Sequence, residues 1–308
     1  MRPFFIYNLL LQKSTLEKLN LPVLNQHNVT VYIKRDDLIH REISGNKWRK
    51  IKYNLLFAAQ NKFEGILTFG GAHSNHILAV AYVCKENNLK CLGIIRGDEH
   101  VTRSKTLTEC ETLGMEFTFM NRTDYREKSD DKYLKLLQEQ YPNYLIIPEG
   151  GANDLGVKGC EEIISEIDID FDFISVDCGT GATLAGMIRK LKPNQKAIGV
   201  QVLKGQDFIT EEVIKFSPNL NDKFEIWTDY HFGGYAKYHN ELIEFMRWFY
   251  QETRIKLDPI YTGKQFYGVF DQIKKGYFPK GATIVLTHTG GLQGIEGFEE
   301  RYGMQIYT

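Results

Sequence analysis

Lys47 sits in the stretch SGNKWRK (44–50), behind a glycine and an asparagine, where a helical pattern begins. A lysine amine becomes a nucleophile or proton carrier once desolvation or a neighbouring cation lowers its pKa. The helix dipole favours anions in a first turn, so a lysine there contributes little to helix stability and is a candidate for chemistry. Arg49, Lys50 and Lys52 follow at once, while Trp48, Ile51 and Leu55 recur at three- and four-residue spacing. That spacing predicts a helix from about Gly45 with a buried apolar stripe. The three basic residues lie mostly off the stripe and are expected to be solvated.

Three other clusters carry small and hydrogen-bonding residues. GGAHSNH (70–76) has two glycines for a tight turn, and Ser74 and Asn75 then open a helix. A helix N-cap alone accounts for that pair. CGTGATLAG (178–186) places Gly179, Thr180, Gly181, Ala182 and Thr183 ahead of a helix. Backbone N–H groups and two hydroxyls in such a turn suit a phosphate, although a ligand-free strand-to-helix turn needs the same residues. The spacing does not fit G-x-x-x-x-G-K-[ST], and Leu184 breaks G-x-G-x-x-G, so no nucleotide signature is present. The third cluster is HTGG (288–291).

The elements that must position these clusters are apolar runs alternating with amphipathic stretches. GILTF (65–69), KCLGII (90–95), YLIIP (144–148), FDFISVD (171–177), AIGVQVL (197–203) and ATIVLTH (282–288) read as buried strands. VTVYIKRDD (29–37) reads as another, leading toward Lys47. Helical stretches at 74–88 and 182–192 lie between them. Strand–helix alternation implies parallel sheets covered on both faces, with ligands beyond the carboxyl ends of the strands. All three clusters occupy such ends.

A chain of 308 residues suffices for one large or two modest domains. A hydrophobic content of 43%, a charged content of 25% and a formal charge of −1 are ordinary for a globular protein. They give no electrostatic reason to expect nucleic acid or an anionic membrane as partner. No run approaches the roughly 18 apolar residues that span a bilayer. The opening MRPFFIYNLLLQKST is broken by Asn8 and lacks a small-residue cleavage site, so it reads as mature protein. Five scattered cysteines without C-x-x-C spacing predict no disulfide framework and no metal site, and suit a reducing cytoplasm.

A phosphate cradle, an unusually placed lysine and no nucleotide signature together point to pyridoxal phosphate. The lysine would form a Schiff base with the aldehyde, and the ring would withdraw electrons from the substrate.

The ordered set SGNKWRK, GGAHSNH, PEGGANDLG, CGTGATLAG, GGYAKY, DPIYTGK and HTGG resembles the 1-aminocyclopropane-1-carboxylate deaminase / D-cysteine desulfhydrase family. These are pyridoxal-phosphate enzymes of the tryptophan-synthase-β fold, and the resemblance spans residues 10 to 300. It implies a two-lobed, three-layer α/β/α architecture with mostly parallel sheets. The smaller lobe would be 48–153, the larger 1–47 with 154–308, and the cofactor would lie between them. It makes Lys47 the Schiff-base lysine and proton carrier, with Ser74, Tyr235 and Tyr261 as further catalytic residues. Asn75 would bond the cofactor's ring hydroxyl, and Ser74, Asn75 and His76 would hold the substrate. Residues 179 to 183 would bind phosphate, and Thr262 and Thr289 would also face the cofactor. A homodimer is the family's usual state.

Deaminase-type members look like YEGK and HLGG at the last two motifs, whereas this chain has Thr262 and Thr289. Hydroxyls there, and PEGG at 148–151, are similar to the desulfhydrase-type members. A neutral hydroxyl by the ring nitrogen makes a weaker electron sink than a carboxylate, sufficient for β-elimination of sulfide. D-cysteine giving pyruvate, sulfide and ammonia is therefore the leading reaction. Opening of 1-aminocyclopropane-1-carboxylate to 2-oxobutanoate and ammonia is the alternative. His73, His76 and the sequence GGYAKYHNEL, which lacks the family's GYG(x)P, are departures that bear on substrate choice. A catalytically silent cofactor-binding protein is the reading from another class. A nucleotide-binding oxidoreductase is weakened by the missing glycine fingerprint.

Overall fold

The Ile-, Val- and Phe-rich runs do form strands, and the loops that follow them carry the candidate residues. The computed structural model describes residues 13–40, 42–43, 45–98 and 104–307; the opening residues through 12, read above as mature protein, lie outside that range. The described strands are β1 (Leu16–Lys18), β2 (Thr30–Lys34), β3 (Gly65–Gly71), β4 (Lys90–Arg96), β5 (Met115–Met120), β6 (Tyr144–Ile147), β7 (Phe173–Cys178), β8 (Lys196–Gln201), β9 (Phe224–Trp227) and β10 (Thr283–Thr287).

The chain divides into two compact units. One takes the described residues of 40–43 and 47–159, the other those of 13–39, 45–46 and 160–307. The first unit holds a sheet of order β5-β4-β3-β6, with every pairing parallel. Its register runs from Gly65 beside Lys90 to Gly71 beside Arg96. The second unit holds a sheet of order β1-β2-β10-β7-β8-β9, in which only β1 runs antiparallel. Both units are α/β, with parallel strands joined through helices as strand–helix alternation requires.

Three strands escape the apolar-run signal because they are edges, among them the three-residue β1. β5 reads Met-Glu-Phe-Thr-Phe-Met, with side chains alternating in exposure, and β9 has only four half-buried residues. An edge strand buries less surface and needs no continuous apolar run.

Phe249, Phe266 and Phe270 anchor the core of the second unit, with ring centroids 5.5 and 5.8 Å apart for the pairs through Phe249. Burying each such ring contributes about 2 kcal/mol. In the first unit Leu67, Phe69, Leu92 and Ile94 back the sheet.

The helix Asn46–Gln60 begins where the sequence pattern places it, and Trp48, Ile51 and Leu55 are buried as expected. Arg49, Lys50 and Lys52 correct the expectation of a solvated face, since they are only 1%, 4% and 5% exposed. Residues 151–159 pack against this helix and cover part of it. A Cβ at Gly159 would stand 1.8 Å from the Arg49 carbonyl oxygen, and one at Gly151 would stand 3.0 Å from the Lys50 Cβ. The Lys52 and Lys158 ammoniums lie 5.2 and 4.7 Å from the Tyr53 ring centroid. Long basic side chains tolerate such burial when their heads find aromatic faces or polar groups. All five cysteines are buried and none forms a disulfide. Among the described residues no helix is long and apolar enough to cross a membrane, and no group of three or more His, Cys, Asp or Glu could hold a metal ion.

Candidate active site

In the first unit, Lys47 is half-buried in the first turn of its helix. Ser74 caps the helix Asn75–Asn87 and its Oγ accepts from the Ile77 N–H at 3.4 Å, so the capping role anticipated for it is real. The turn before it is forced by close packing. A Cβ at Gly70 would lie 2.4 Å from Ile77 Cγ1 and 2.9 Å from Ser74 Oγ. The Ser104 hydroxyl donates to the Ala72 carbonyl and ties the same turn down. Asn75 is half-buried and His73 exposed.

His76 is only 2% exposed, and Thr68 Oγ1 lies 2.9 Å from its Nε2. The Thr68 hydroxyl has one proton, which it donates to the Ile147 carbonyl at 2.8 Å. It must therefore accept from His76, which fixes the proton on Nε2. Burial, reinforced by the charges of Lys47 and Lys50, lowers the His76 pKa to about 3. The imidazole is neutral, and its Nδ1 is a buried lone pair with no partner among the described residues. A neutral acceptor repels a carboxylate rather than holding it, so the ring of His76 is suited to a donor. Ser74 and Asn75 remain the polar groups of this turn that fit a carboxylate.

In the second unit, β7 and β10 are neighbours, so their carboxyl ends bring CGTGAT beside HTGG. Gly181 adopts φ +71°, a left-handed backbone that glycine takes without strain, and starts the helix Ala182–Ile188. Thr183 is buried, and its Oγ1 accepts from the Asn46 side-chain amide at 3.1 Å. The Asn46 backbone N–H donates to the Thr289 carbonyl at 3.3 Å. Asn46, the residue before Lys47, is thus held by both loops at once. Gly45 fits only because it lacks a side chain: its φ is +69°, and a Cβ would stand 1.7 Å from the Thr289 carbonyl oxygen.

Tyr235 and Tyr261 come together, with ring centroids 6.3 Å apart at 74°. A Cβ at Gly179 would be 3.5 Å from the Tyr261 ring, so the glycine turn and this tyrosine are neighbours. Tyr261 is positioned by Asp258, whose Oδ1 accepts the Ile260 and Tyr261 N–H groups at 2.9 and 2.8 Å. Asp258 Oδ2 takes the Thr262 N–H at 2.9 Å and the Thr262 hydroxyl at 2.7 Å. The Thr262 oxygen also accepts from the Asp258 N–H at 2.8 Å. The Thr262 hydroxyl is therefore committed within its own turn and has no proton to offer a cofactor. The Thr289 hydroxyl is also directed, since it donates to Asp177 at the end of β7.

The residues present fit a phosphorylated cofactor. A glycine–threonine turn with a left-handed Gly181 and a buried Thr183 hydroxyl opens a helix at the carboxyl end of a parallel strand. The model of the pyridoxal-phosphate-dependent enzyme family matches residues 12–290.

The chain belongs to that family, in its 1-aminocyclopropane-1-carboxylate deaminase branch. A Pyrococcus furiosus protein carrying the provisional name 1-aminocyclopropane-1-carboxylate deaminase is 35% identical over 86% of this chain and 85% of its own. An Arabidopsis thaliana protein named as a bifunctional D-cysteine desulfhydrase/1-aminocyclopropane-1-carboxylate deaminase is 30% identical over 95% of this chain and 80% of its own. A crystal structure of a 1-aminocyclopropane-1-carboxylate deaminase homologue superposes with a TM-score of 0.81, at 28% identity over 98% of both chains. The protein is a pyridoxal-phosphate-dependent lyase or deaminase.

Four residues that motif reading passes over hold candidate site residues or their loops in place. Asn46 and Asp258 pin the backbone on either side of predicted site residues, Asp177 accepts the Thr289 proton, and Lys264 is buried beneath the tyrosine loop. Asp258 and Lys264 were visible as the charged ends of DPIYTGK. Asp177 carried the weaker signal of a charge closing an apolar strand.

Proposed function

We propose that this enzyme eliminates the β-substituent of a small amino acid, with D-cysteine, giving pyruvate, sulfide and ammonia, as its leading substrate. When bound, pyridoxal phosphate supplies a ring that withdraws electrons from the substrate's α-carbon. Gly179, Thr180, Gly181, Ala182 and Thr183 would hold its phosphate, and Asn75 its ring hydroxyl. Lys47 would hold the cofactor through its aldehyde carbon, and its amine would take the α-proton. Ser74 and Asn75 orient the substrate carboxylate, and Tyr261 with Tyr235 handles the proton at the leaving sulfur.

The observation that carries the preference for elimination is the pair of hydroxyl residues at 262 and 289. Thr262 is closed onto Asp258, so of the two hydroxyls Thr289 would be the one to face a ring nitrogen. A hydroxyl, even backed by Asp177, stabilises ring protonation less than a carboxylate in direct contact, and sulfide leaves readily enough for that. The names of the relatives favour a second reading, 1-aminocyclopropane-1-carboxylate opening to 2-oxobutanoate and ammonia. Steady-state assays of both substrates on the cofactor-loaded enzyme decide between them: sulfide release from D-cysteine is expected, and none would overturn the preference. The same reading makes the enzyme a homodimer, which sedimentation equilibrium checks.

A further inference from the structure

Lys264 follows Tyr261 by three residues in the helix Thr262–Lys274 and is fully buried. A lysine ammonium has three N–H donors and pays a large desolvation cost unless all are matched. Here Nζ donates to the carbonyls of Gly234 at 2.7 Å, His231 at 2.9 Å and Val202 at 3.4 Å. Val202 follows β8, whereas His231 and Gly234 belong to the loop that presents Tyr235. That loop is strained: Phe232 and Ala236 take φ of 52° and 50°, and Gly233 and Gly234 take 91° and 112°. A left-handed conformation costs a non-glycine residue about 1–2 kcal/mol, so the loop holds its course only under tight anchoring. Lys264 anchors it at the carbonyls of residues 231 and 234, and the Tyr302 hydroxyl donates to the Ala236 carbonyl at 2.8 Å.

We propose that Lys264 is a positioning residue whose ammonium takes the place of a monovalent cation, binding three main-chain carbonyls and fixing the loop that sets Tyr235 against Tyr261. Converging neutral carbonyl oxygens are the ligand set of a potassium or ammonium ion, and here the cation is tethered to the helix that Tyr261 starts. One side chain thereby couples both tyrosines, through the backbone on one side and through three hydrogen bonds on the other. Burial lowers the Lys264 pKa to about 8, offset in part by the charge of Asp258, so the cation persists at neutral pH. The kinetic consequence rests on the reading of the tyrosines as substrate-facing residues, whereas the cation response does not.

The test is Lys264→Met in the cofactor-loaded enzyme, titrated with ammonium and potassium chloride against sodium and choline chloride at equal ionic strength. The variant is expected to lose about 100-fold in kcat through misplacement of Tyr235, and to become sensitive to proteolysis within 231–238. Ammonium, and less strongly potassium, should restore melting temperature, protease resistance and turnover along one saturation curve, while wild type shows no such response. Recovery of stability without turnover would retain the cation site and reject the substrate-facing role of the tyrosines. A folded variant indifferent to the cation, or a wild type that responds equally, overturns the proposal. Should Lys264→Met not accumulate folded, Lys264→Gln carries the same titration with the same two outcomes.

Discussion

The Thr289 hydroxyl gives its proton to the Asp177 carboxylate, joining the ends of two adjacent parallel strands. An oxygen whose proton is already directed can only accept, so whatever group Thr289 faces must bring a proton of its own. On the proposed reading a cofactor's ring nitrogen would lie there, and a carboxylate acting through a hydroxyl would favour its protonated form.

Asp177→Asn is therefore expected to weaken that protonation. The ring-nitrogen chemical shift of 15N-labelled cofactor should move toward the unprotonated value, and turnover should drop roughly ten-fold, the size of one charge-assisted hydrogen bond. Thr289→Val should do the same, and the double variant should be no worse than either single one, because the two residues act as a unit. An unchanged nitrogen shift in Asp177→Asn would separate Asp177 from the cofactor.

His76 predicts a pH dependence of stability rather than of catalysis. Its pKa near 3 in the folded chain lies below the unfolded value of about 6.5. Its contribution is thus complete above pH 6.5 and declines as the unfolded chain takes up a proton that the folded chain refuses. At pH 5 the loss amounts to about 2 kcal/mol. Urea unfolding of wild type and His76→Gln at pH 7.5 and pH 5 should show their stability difference shifting by that amount in favour of the variant. A difference independent of pH would mean that the ring is not held neutral.

Lys47→Ala should abolish the long-wavelength absorbance of the cofactor-loaded protein and reduce turnover by at least about 1,000-fold, since nucleophile and proton carrier are lost together. Borohydride reduction of the wild type, followed by peptide mapping, should place the label on Lys47. Label on any other lysine would remove the basis for the assigned roles.

Much of the fold was legible because parallel strands buried on both faces must be continuous apolar runs, as in β3, β4, β7, β8 and β10. β5 was not, because an edge strand needs only alternation. The glycine–threonine turn was legible as a strand-to-helix turn, and Lys47 as a residue type that a first helical turn does not call for. The burial of Arg49, Lys50 and Lys52 was not, because it depends on tertiary packing, part of it by residues 151–159 about 100 positions away in the chain. The same limit hid the state of His76, which is decided by Thr68 and Ile147 on two neighbouring strands. Hydrogen-bond direction belongs to tertiary structure, and so the hydroxyls of Thr262 and Thr289, alike in sequence, diverge once Asp258 and Asp177 are in place.

The close approach of Gly159 to the helix bearing Lys47 yields the last prediction. A Cβ there would stand 1.8 Å from the Arg49 carbonyl oxygen and 2.7 Å from its carbonyl carbon, both backbone atoms that cannot swing aside. Gly159→Ala must therefore push the helix Asp154–Cys160 off the Asn46–Gln60 helix or distort the turn that holds Lys47. Either way the overpacking should destabilise the protein by about 3 kcal/mol or more. If the helix start moves, cofactor absorbance should fall with stability in the same sample. Gly114 is the control: its φ is +90° but nothing lies within 4 Å of its Cβ position. Alanine there should cost only the backbone strain of about 1–2 kcal/mol and leave cofactor binding intact. Calorimetry and absorbance on the two variants check both expectations, and equal losses would show that the helix contact at Gly159 is looser than the geometry requires.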